Sequence, residues 1–121
     1  MAYQSFEELD VWKDACRLAV SIHELFQSSK DFAMRDQIIR SSVSVPSNIA
    51  EGMERGSTKD TIRFLHIAKG SCAEVRTQLY LSSKMNIIPT DQTNPLLNQT
   101  RKISGQLQNL ITALNRRNSN S

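Results

Sequence analysis

The chain has 121 residues, of which 39% are hydrophobic, a size and composition that fit one domain with one core and leave no room for a second domain. Its formal net charge of +3 hides an uneven distribution, because every acidic residue lies within positions 1–91, whereas all charged residues after position 91 are basic. No apolar run reaches the roughly 18 to 20 residues that cross a bilayer, and the first ten residues lack the pattern of a signal peptide, so we expect a cytoplasmic protein.

The first segment with a helical period lies near the start of the chain. Ser5 and Glu8 have the spacing of a capping box, and the polar residues 27–30 end the segment. Its apolar residues recur at intervals of three or four and form one stripe with one polar member, which we expect to face the core. The stripe consists of Leu9, Trp12, Cys16, Ala19, Ile22, His23 and Phe26.

Two longer helices are predicted in the middle of the chain. The second helix begins at the N-cap Asp31 and ends at Gly56, and the third begins with Ser57 or Thr58 as its N-cap. A proline lies inside the second helix. Because an interior proline removes one backbone hydrogen bond and costs about 3 kcal/mol, we expect a kink or break near Ser42–Pro46.

The last helix and its flanks complete the predicted architecture. Residues 86–93 are predicted to form a loop, and the fourth helix is predicted to begin at the N-cap Asn94, because Pro95 then takes the first helical position. Residues 115–121 carry too little apolar surface to pack and are predicted to be a flexible polar and basic tail. Residues 1–114 therefore predict an all-α domain, an antiparallel up-down-up-down four-helix bundle.

The second helix also carries a polar stripe made mostly of small, uncharged residues. Such residues permit close helix approach and interhelical hydrogen bonds, which favours an internal polar layer or a subunit interface, two alternatives that stay open, over a solvated face. When the chain folds back at Gly56, Arg40 is placed opposite Glu74, where we expect a fork-shaped ion pair. The predicted structural polar network consists of Gln37, Arg40, Ser44, Asn48, Glu51, Ser71 and Glu74.

Sequence patterns of catalysis and metal binding are absent. Neither His23 nor His66 follows a Glu by three positions, as a carboxylate-bridged bundle site requires, and Cys16 and Cys72 have no second ligand nearby. No Gly-x-Ser-x-Gly elbow or phosphate-binding glycine loop occurs. We therefore predict no catalytic residue, metal, cofactor or small-molecule substrate, and we interpret both cysteines as reduced, small hydrophobic residues.

Four short motifs occur in the order found in one bacterial family: FEELDVW at 6–12, QIIR at 37–40, SNIAEG at 47–52 and GSCAEV at 70–75. The chain resembles the four-helix-bundle proteins encoded within intervening sequences of large-subunit (23S) ribosomal RNA genes, which are related to the accessory proteins of diversity-generating retroelements. The resemblance spans nearly the whole chain. It implies a bundle that assembles into a ring, typically a homopentamer, with a basic surface that contacts nucleic acid and with no established enzymatic activity.

The leading hypothesis is a non-enzymatic homo-oligomeric bundle that binds structured RNA or a ribonucleoprotein through phosphate contacts that do not depend on base sequence. The alternative is a structural or protein–protein adaptor that does not bind nucleic acid, in which the basic residues are ordinary solvated side chains. The residues predicted to contact RNA are Arg101, Lys102, Arg116 and Arg117 in the last helix and tail, with Arg55, Lys59 and Arg63 around the connection between the second and third helices.

Overall fold

The computed structural model of the protein describes residues 5–120, except for the side chains of residues 119 and 120, and no strand occurs in that part. Consecutive helices pack against each other, and the last helix closes the bundle against the first. The predicted all-α four-helix bundle is confirmed. Within the described residues, no helix is long and apolar enough to span a membrane. After a short 3-10 helix, Phe6–Glu8, the helices are α1 (Asp10–Phe26), α2 (Phe32–Met53), α3 (Thr58–Lys84) and α4 (Thr90–Asn120).

The core lies between the four helices and is made mainly of aliphatic side chains. Each large apolar side chain that is fully buried, such as Phe26, stabilises the fold by about 1.5–3 kcal/mol. The predicted stripe of α1 is partly wrong, because Cys16 is only half-buried and His23 is exposed. One position along a helix turns a side chain by about 100°, so several of the chosen residues lie on the flank of the true stripe. The buried residues of α1 are Val11, Ala15, Leu18, Ile22 and Phe26.

Two of the predicted helix N-caps are confirmed. The side chains of Asp31 and Ser57 each accept a hydrogen bond from the backbone N–H three residues later, at 3.0 and 3.2 Å, and so satisfy donors that have no partner within the helix. The predicted capping box is wrong, because Ser5 caps the 3-10 helix and Glu8 donates its N–H to the backbone carbonyl of Ser5. α1 begins after Leu9, which is extended and offers no side-chain cap.

Pro46 does not interrupt α2, so no break occurs there, and the predicted kink stays a prediction. An interior proline leaves the carbonyl four residues earlier, here that of Ser42, without its usual backbone donor. Pro46 is buried on the inner side of α2, where its packing offsets that loss. Ser42 is fully buried as well, and its hydroxyl donates to the Ile39 carbonyl at 2.8 Å.

α4 begins at Thr90, earlier than the predicted N-cap Asn94, and the preceding loop is correspondingly shorter. The N–H of Thr93 already donates to the carbonyl of Pro89 at 3.2 Å, so the first turn is formed before Pro95 is reached. Pro95 therefore lies in the second turn. At that position its missing N–H removes only one helical hydrogen bond.

The helix also extends further at its other end, because α4 continues through Asn120. Residues 115–120 of the predicted tail are thus helical. The side chains of residues 115–118 are all exposed, as expected for a segment with little apolar surface. That the segment is flexible stays a prediction.

α3 ends at Lys84, and Asn86, two residues later, has a φ of 58°, in the left-handed region that asparagine tolerates better than most residues. The N–H of Ile87 then donates to the carbonyl of Ser82 at 2.8 Å, which satisfies one of the last carbonyls of the helix. This cap reverses the chain within a short loop, so α4 runs antiparallel along α3.

Candidate nucleic-acid interface

Side-chain hydrogen bonds join α3 and α4 along their outer seam, and two of them involve a cation. Lys69 Nζ donates to Gln108 Oε1 at 2.6 Å, and Arg101 Nη2 donates to the hydroxyl of Tyr80, also at 2.6 Å. Arg76 lies seven residues after Lys69 and four before Tyr80, so the three side chains share one side of α3. The seam therefore brings three cations and one aromatic ring onto one surface.

We call this surface the basic α3–α4 face. Among residues 5–118, no carboxylate lies within the 4.0 Å of an ion pair to Lys69, Arg76 or Arg101. Arg101 instead donates to neutral partners, Tyr80 and Asn98, and so keeps its full charge. The face consists of Lys69, Arg76 and Tyr80 from α3 and Asn98, Arg101, Gln108 and Thr112 from α4.

Both acidic residues of α3 lie on its other side, towards α2. Glu74 lines a shallow groove of about 370 Å³ together with Gln37 of α2. Asp60 is nine residues before Lys69, which on an α-helix is about half a revolution away. Both carboxylates of α3 thus face α2, whereas Lys69 and Arg76 face α4.

The four basic residues predicted in the last helix divide between two sides of α4. Arg101 belongs to the basic α3–α4 face, and Arg116 follows Thr112 by one turn and extends it. Lys102 points towards α1, where its Nζ lies 3.3 Å from Asp14 Oδ2. Arg117 lies eleven residues after Gln106, which also bonds Asp14, so it shares the side that faces α1.

Asp14 is the centre of a polar cluster between α1 and α4. Its side chain is 17% exposed, with Arg17 Nη1 at 2.7 Å and Gln106 Nε2 at 3.1 Å. Burial opposes its ionisation, but the hydrogen bonds from Gln106 and Lys102 and the charges of Lys102 and Arg17 together hold the pKa of Asp14 below its usual value. Much of the charge of Lys102 is therefore balanced within the fold.

The predicted patch around the α2–α3 turn is also balanced. Arg55 Nη2 lies 3.3 Å from Glu51 Oε1, and the guanidinium groups of Arg55 and Arg63 each lie 4.6 Å from the centre of the Phe64 ring. These cation–π contacts hold both groups against the protein. Lys59 is exposed. The carboxylates in the same region are those of Glu51, Glu54 and Asp60.

Sequence reasoning missed Lys69, Arg76 and Tyr80. Their signal was available, because residues at 69, 76 and 80 have helical spacing and no acidic residue shares their side of α3. Charge taken by position along the chain points to the end of α4. Charge taken by helix face points to Lys69 and Arg76, and the uncharged Tyr80 follows from its spacing on the same side.

Part of the polar stripe of α2 forms a hydrogen-bonded layer against α3. The hydroxyls of Ser44 and Ser71 lie 2.8 Å apart, and Asn48 Nδ2 donates to Ser44 Oγ at 2.9 Å. Ser71 is buried, and the other two side chains are half-buried. These three residues connect α2 to α3.

The expected ion pair between Arg40 and Glu74 is not formed. Both side chains are exposed, and neither takes part in an ion pair within the described chain. A register that pairs Arg40 with Glu74 would place Ser44 opposite Gly70, but Ser44 meets Ser71. This shift of one residue turns a helical side chain by about 100°. The remaining members of the predicted network, Gln37 and Glu51, are exposed as well.

The SNIAEG motif lies at a close approach of α2 and α3. Ile49 is fully buried, and a Cβ added at Gly52 would lie 2.8 Å from Phe64 Cβ. The hydroxyl of Thr61 donates to the carbonyl of Gly52 at 2.8 Å. This motif therefore joins two helices, and the geometry gives it a structural role.

Neither cysteine has the properties of a nucleophile. Burial raises the pKa of Cys72 to about 11 in spite of the nearby charge of Arg76, and its Sγ donates to the carbonyl of Thr100 at 3.3 Å. Burial also raises the pKa of Cys16. Both thiols are thus protonated at neutral pH. In residues 5–118, no three His, Cys, Asp or Glu side chains form a group that could hold a metal ion.

The comparisons with known proteins agree with this architecture. The family model for the 23S rRNA-intervening sequence protein matches residues 7–109. A crystal structure of a protein of unknown function from the S23 ribosomal protein family, from Bacteroides thetaiotaomicron, is similar with a TM-score of 0.80 and 30% sequence identity, over 84% of this chain and 97% of that chain. No curated protein matches the chain. The chain belongs to the 23S rRNA-intervening sequence protein family.

Proposed function

We propose that the protein is a non-enzymatic, homo-oligomeric bundle of the cytoplasm that binds structured RNA through the basic α3–α4 face. The observation that carries this proposal is the row of Lys69, Arg76 and Arg101, which has no carboxylate partner among residues 5–118. The resemblance of the motifs further supports a relationship to the accessory proteins of diversity-generating retroelements.

The chemistry of this face suits a phosphate backbone. Arginine and lysine neutralise phosphates and release condensed counterions, so the logarithm of affinity falls linearly with the logarithm of salt concentration, by roughly 0.7 to 0.9 per phosphate contacted. Neutral donors beside the cations, such as Asn98 and Gln108, can bind phosphate and sugar oxygens without adding charge. Contacts of this kind recognise the shape of an RNA and not its base sequence.

The test replaces the three cations of the face together, as Lys69→Gln, Arg76→Gln and Arg101→Gln. A matched control replaces three exposed cations elsewhere, Lys13, Lys30 and Lys59, and removes the same charge. We expect the face variant to bind a fluorescent RNA stem-loop at least about tenfold more weakly and to lose roughly two to three units of the salt slope. The control should stay within about threefold of the wild type. Equal losses of affinity in both variants, or binding that salt does not weaken, would exclude RNA binding through this face.

Self-association is the second part of the proposal, and the surface between α2 and α3 supports it. Ile67 and Leu81 are each 41% exposed there, and Arg40 and Glu74 lie on the same surface without an ion-pair partner in the described chain. Gly70, also on this surface, has no atom within 4 Å of an added Cβ. A second copy would cover the apolar side chains and provide partners for both charges.

Light scattering tests the assembly directly. We expect a mass that is a multiple of the 13.7 kDa of one chain, five times for a homopentamer. Leu81→Glu should release monomers, whereas Val20→Glu, which alters an even more exposed apolar residue on α1, should not. A wild-type protein that stays monomeric at tens of micromolar would contradict self-association.

The alternative function, a protein–protein adaptor without nucleic-acid binding, draws on the same partly apolar surface between α2 and α3. It predicts that the wild type assembles but binds no RNA even at low salt. The scattering and RNA titrations, performed on the same preparation, separate the two functions.

A further inference from the structure

Tyr80 is an exposed aromatic residue placed among cations. Its side chain is 42% exposed, it lies on the basic α3–α4 face, and Arg76 is one turn before it on α3, about 6 Å along the helix axis. Arg101 reaches it from α4, with Nη2 2.6 Å from the hydroxyl. The ring thus has a guanidinium group along the helix and another at its hydroxyl.

The contact with Arg101 fixes the edge of the Tyr80 ring and leaves its faces uncovered by other π or cationic groups. Arg101 is held at a second point by Asn98 Oδ1 at 3.0 Å. Within the described chain, the close cation–π contacts are made to Phe32 and Phe64, and the one aromatic pair is that of Phe6 with Trp12. Tyr80 is therefore oriented by hydrogen bonding while its ring remains available for stacking.

The other strongly exposed aromatic residue of the described chain shows the difference. Phe32 is 61% exposed, but its ring is covered by the guanidinium of Arg35 at 4.8 Å. Arg35 is in turn paired with Asp36 at 3.0 Å, and Asp31 precedes the ring in the chain. Phe32 thus lies where Lys30 and Arg35 are balanced by Asp31 and Asp36, whereas the charged groups beside Tyr80 are both basic.

From this placement we infer that Tyr80 stacks on an unpaired nucleobase of the bound RNA, while Arg76 and Arg101 hold the phosphates on either side of that nucleotide. An exposed ring can stack on any base, but only on one that is not already enclosed in a duplex. The preferred ligand is therefore an RNA with a loop, bulge or single-stranded end. This inference rests on the proposed RNA-binding function.

The test compares two RNAs of equal length and charge, a stem-loop with 2-aminopurine in the loop and a fully paired duplex. We expect the wild type to bind the stem-loop more tightly, with quenching of the 2-aminopurine. Tyr80→Leu should weaken stem-loop binding by about five- to 100-fold, the range of base stacking on an aromatic residue, should abolish the quenching, and should leave duplex binding unchanged. Tyr80→Phe keeps the ring and should retain stacking, and Phe32→Leu, the matched control, should behave as the wild type.

Three outcomes separate the inference from the function on which it rests. Loss of the stem-loop preference in Tyr80→Leu alone supports stacking. Salt-dependent binding of both RNAs with equal affinity, or a Tyr80→Leu protein that binds and quenches as the wild type does, overturns stacking and leaves the proposed function in place. Absence of binding to either RNA by a folded wild type overturns both. Thermal unfolding of each variant confirms that it is folded.

Discussion

The two sides of α3 have different tasks. The side towards α2 is occupied by contacts that hold the fold, among them Ser71 with Ser44 and Thr61 with the Gly52 carbonyl. The side towards α4 holds Lys69 and Arg76, whose charges no carboxylate balances within the described chain. One helix therefore combines a side that holds the fold with a charged side, through which we propose that the protein binds RNA. Changes on the first should alter stability, and changes on the second should alter binding.

The largest effect on stability is expected from Gly52→Ala. The added Cβ would lie 2.8 Å from Phe64 Cβ and 3.2 Å from the Thr61 carbonyl oxygen, so α2 and α3 must move apart. Overpacking of this kind costs about 1–3 kcal/mol, which urea unfolding followed by circular dichroism would measure. The RNA affinity of the folded fraction should not change.

A matched glycine provides the control for this substitution. Gly105 lies in the interior of α4 and has no atom within 4 Å of an added Cβ. Gly105→Ala should therefore stabilise the protein by up to about 1 kcal/mol through helix propensity. Equal destabilisation by the two substitutions would show that close approach of α2 and α3 is not what Gly52 provides.

A smaller effect is expected from the hydroxyl pair between α2 and α3. Single and double replacement of Ser44 and Ser71 by alanine should give a coupling free energy of about 0.5–1.5 kcal/mol, because the hydroxyls are 2.8 Å apart in a partly buried setting. Ser47, an exposed neighbour, should show no coupling with Ser71. Zero coupling in the Ser44 and Ser71 cycle would mean that water replaces the pair without loss.

The smallest effect is expected at Asp14 of α1, which contacts the side of α4 that faces away from α3. Because its pKa is lowered in the folded state, ionised Asp14 stabilises the fold fully above the ordinary carboxyl pKa of about 4, and this contribution is lost as the pH falls through the lowered pKa. Its partners Arg17 and Lys102 are 69% and 66% exposed, so the contribution is at most about 1 kcal/mol.

Thermal unfolding across a pH series measures this contribution. Asp14→Asn should be slightly less stable than the wild type at neutral pH, and the difference should vanish in strong acid. Asp10→Asn, which alters an exposed carboxyl in the first turn of α1, serves as the control. A difference that persists below the lowered pKa would assign the effect to packing and not to charge.

Hydrophobic spacing and polar caps were sufficient to predict four helices and the starts of α2 and α3. Asp31 and Ser57 act locally, through a side chain that reaches the backbone three residues later, so their signal needs no tertiary information. The start of α4 was misread for the same local reason. Asn94 followed by Pro95 has the composition of a helix start, but the backbone of Thr93 and Pro89 had already formed the first turn.

The site was less predictable because it depends on how two helices turn towards each other. A fold-back at Gly56 predicts the approximate level of each residue but not the direction of its side chain. It puts Ser44 opposite Gly70, one residue from the observed partner Ser71, and the ion pair of Arg40 and Glu74 that it predicts is not formed. The sequence predicts that Arg101 contacts RNA. It does not predict Tyr80, because the contact of Tyr80 with Arg101 depends on how α3 and α4 pack together.

The close contact at Gly52 limits the substitutions that the hairpin of α2 and α3 can accept. The obstructing atom is the Cβ of residue 64, which every amino acid except glycine possesses. Shortening Phe64 to alanine would leave this Cβ in place. A smaller side chain at residue 64 therefore cannot compensate for a larger one at residue 52. The missing Cβ of Gly52 thus allows α2 and α3 to approach this closely, whichever side chain residue 64 carries.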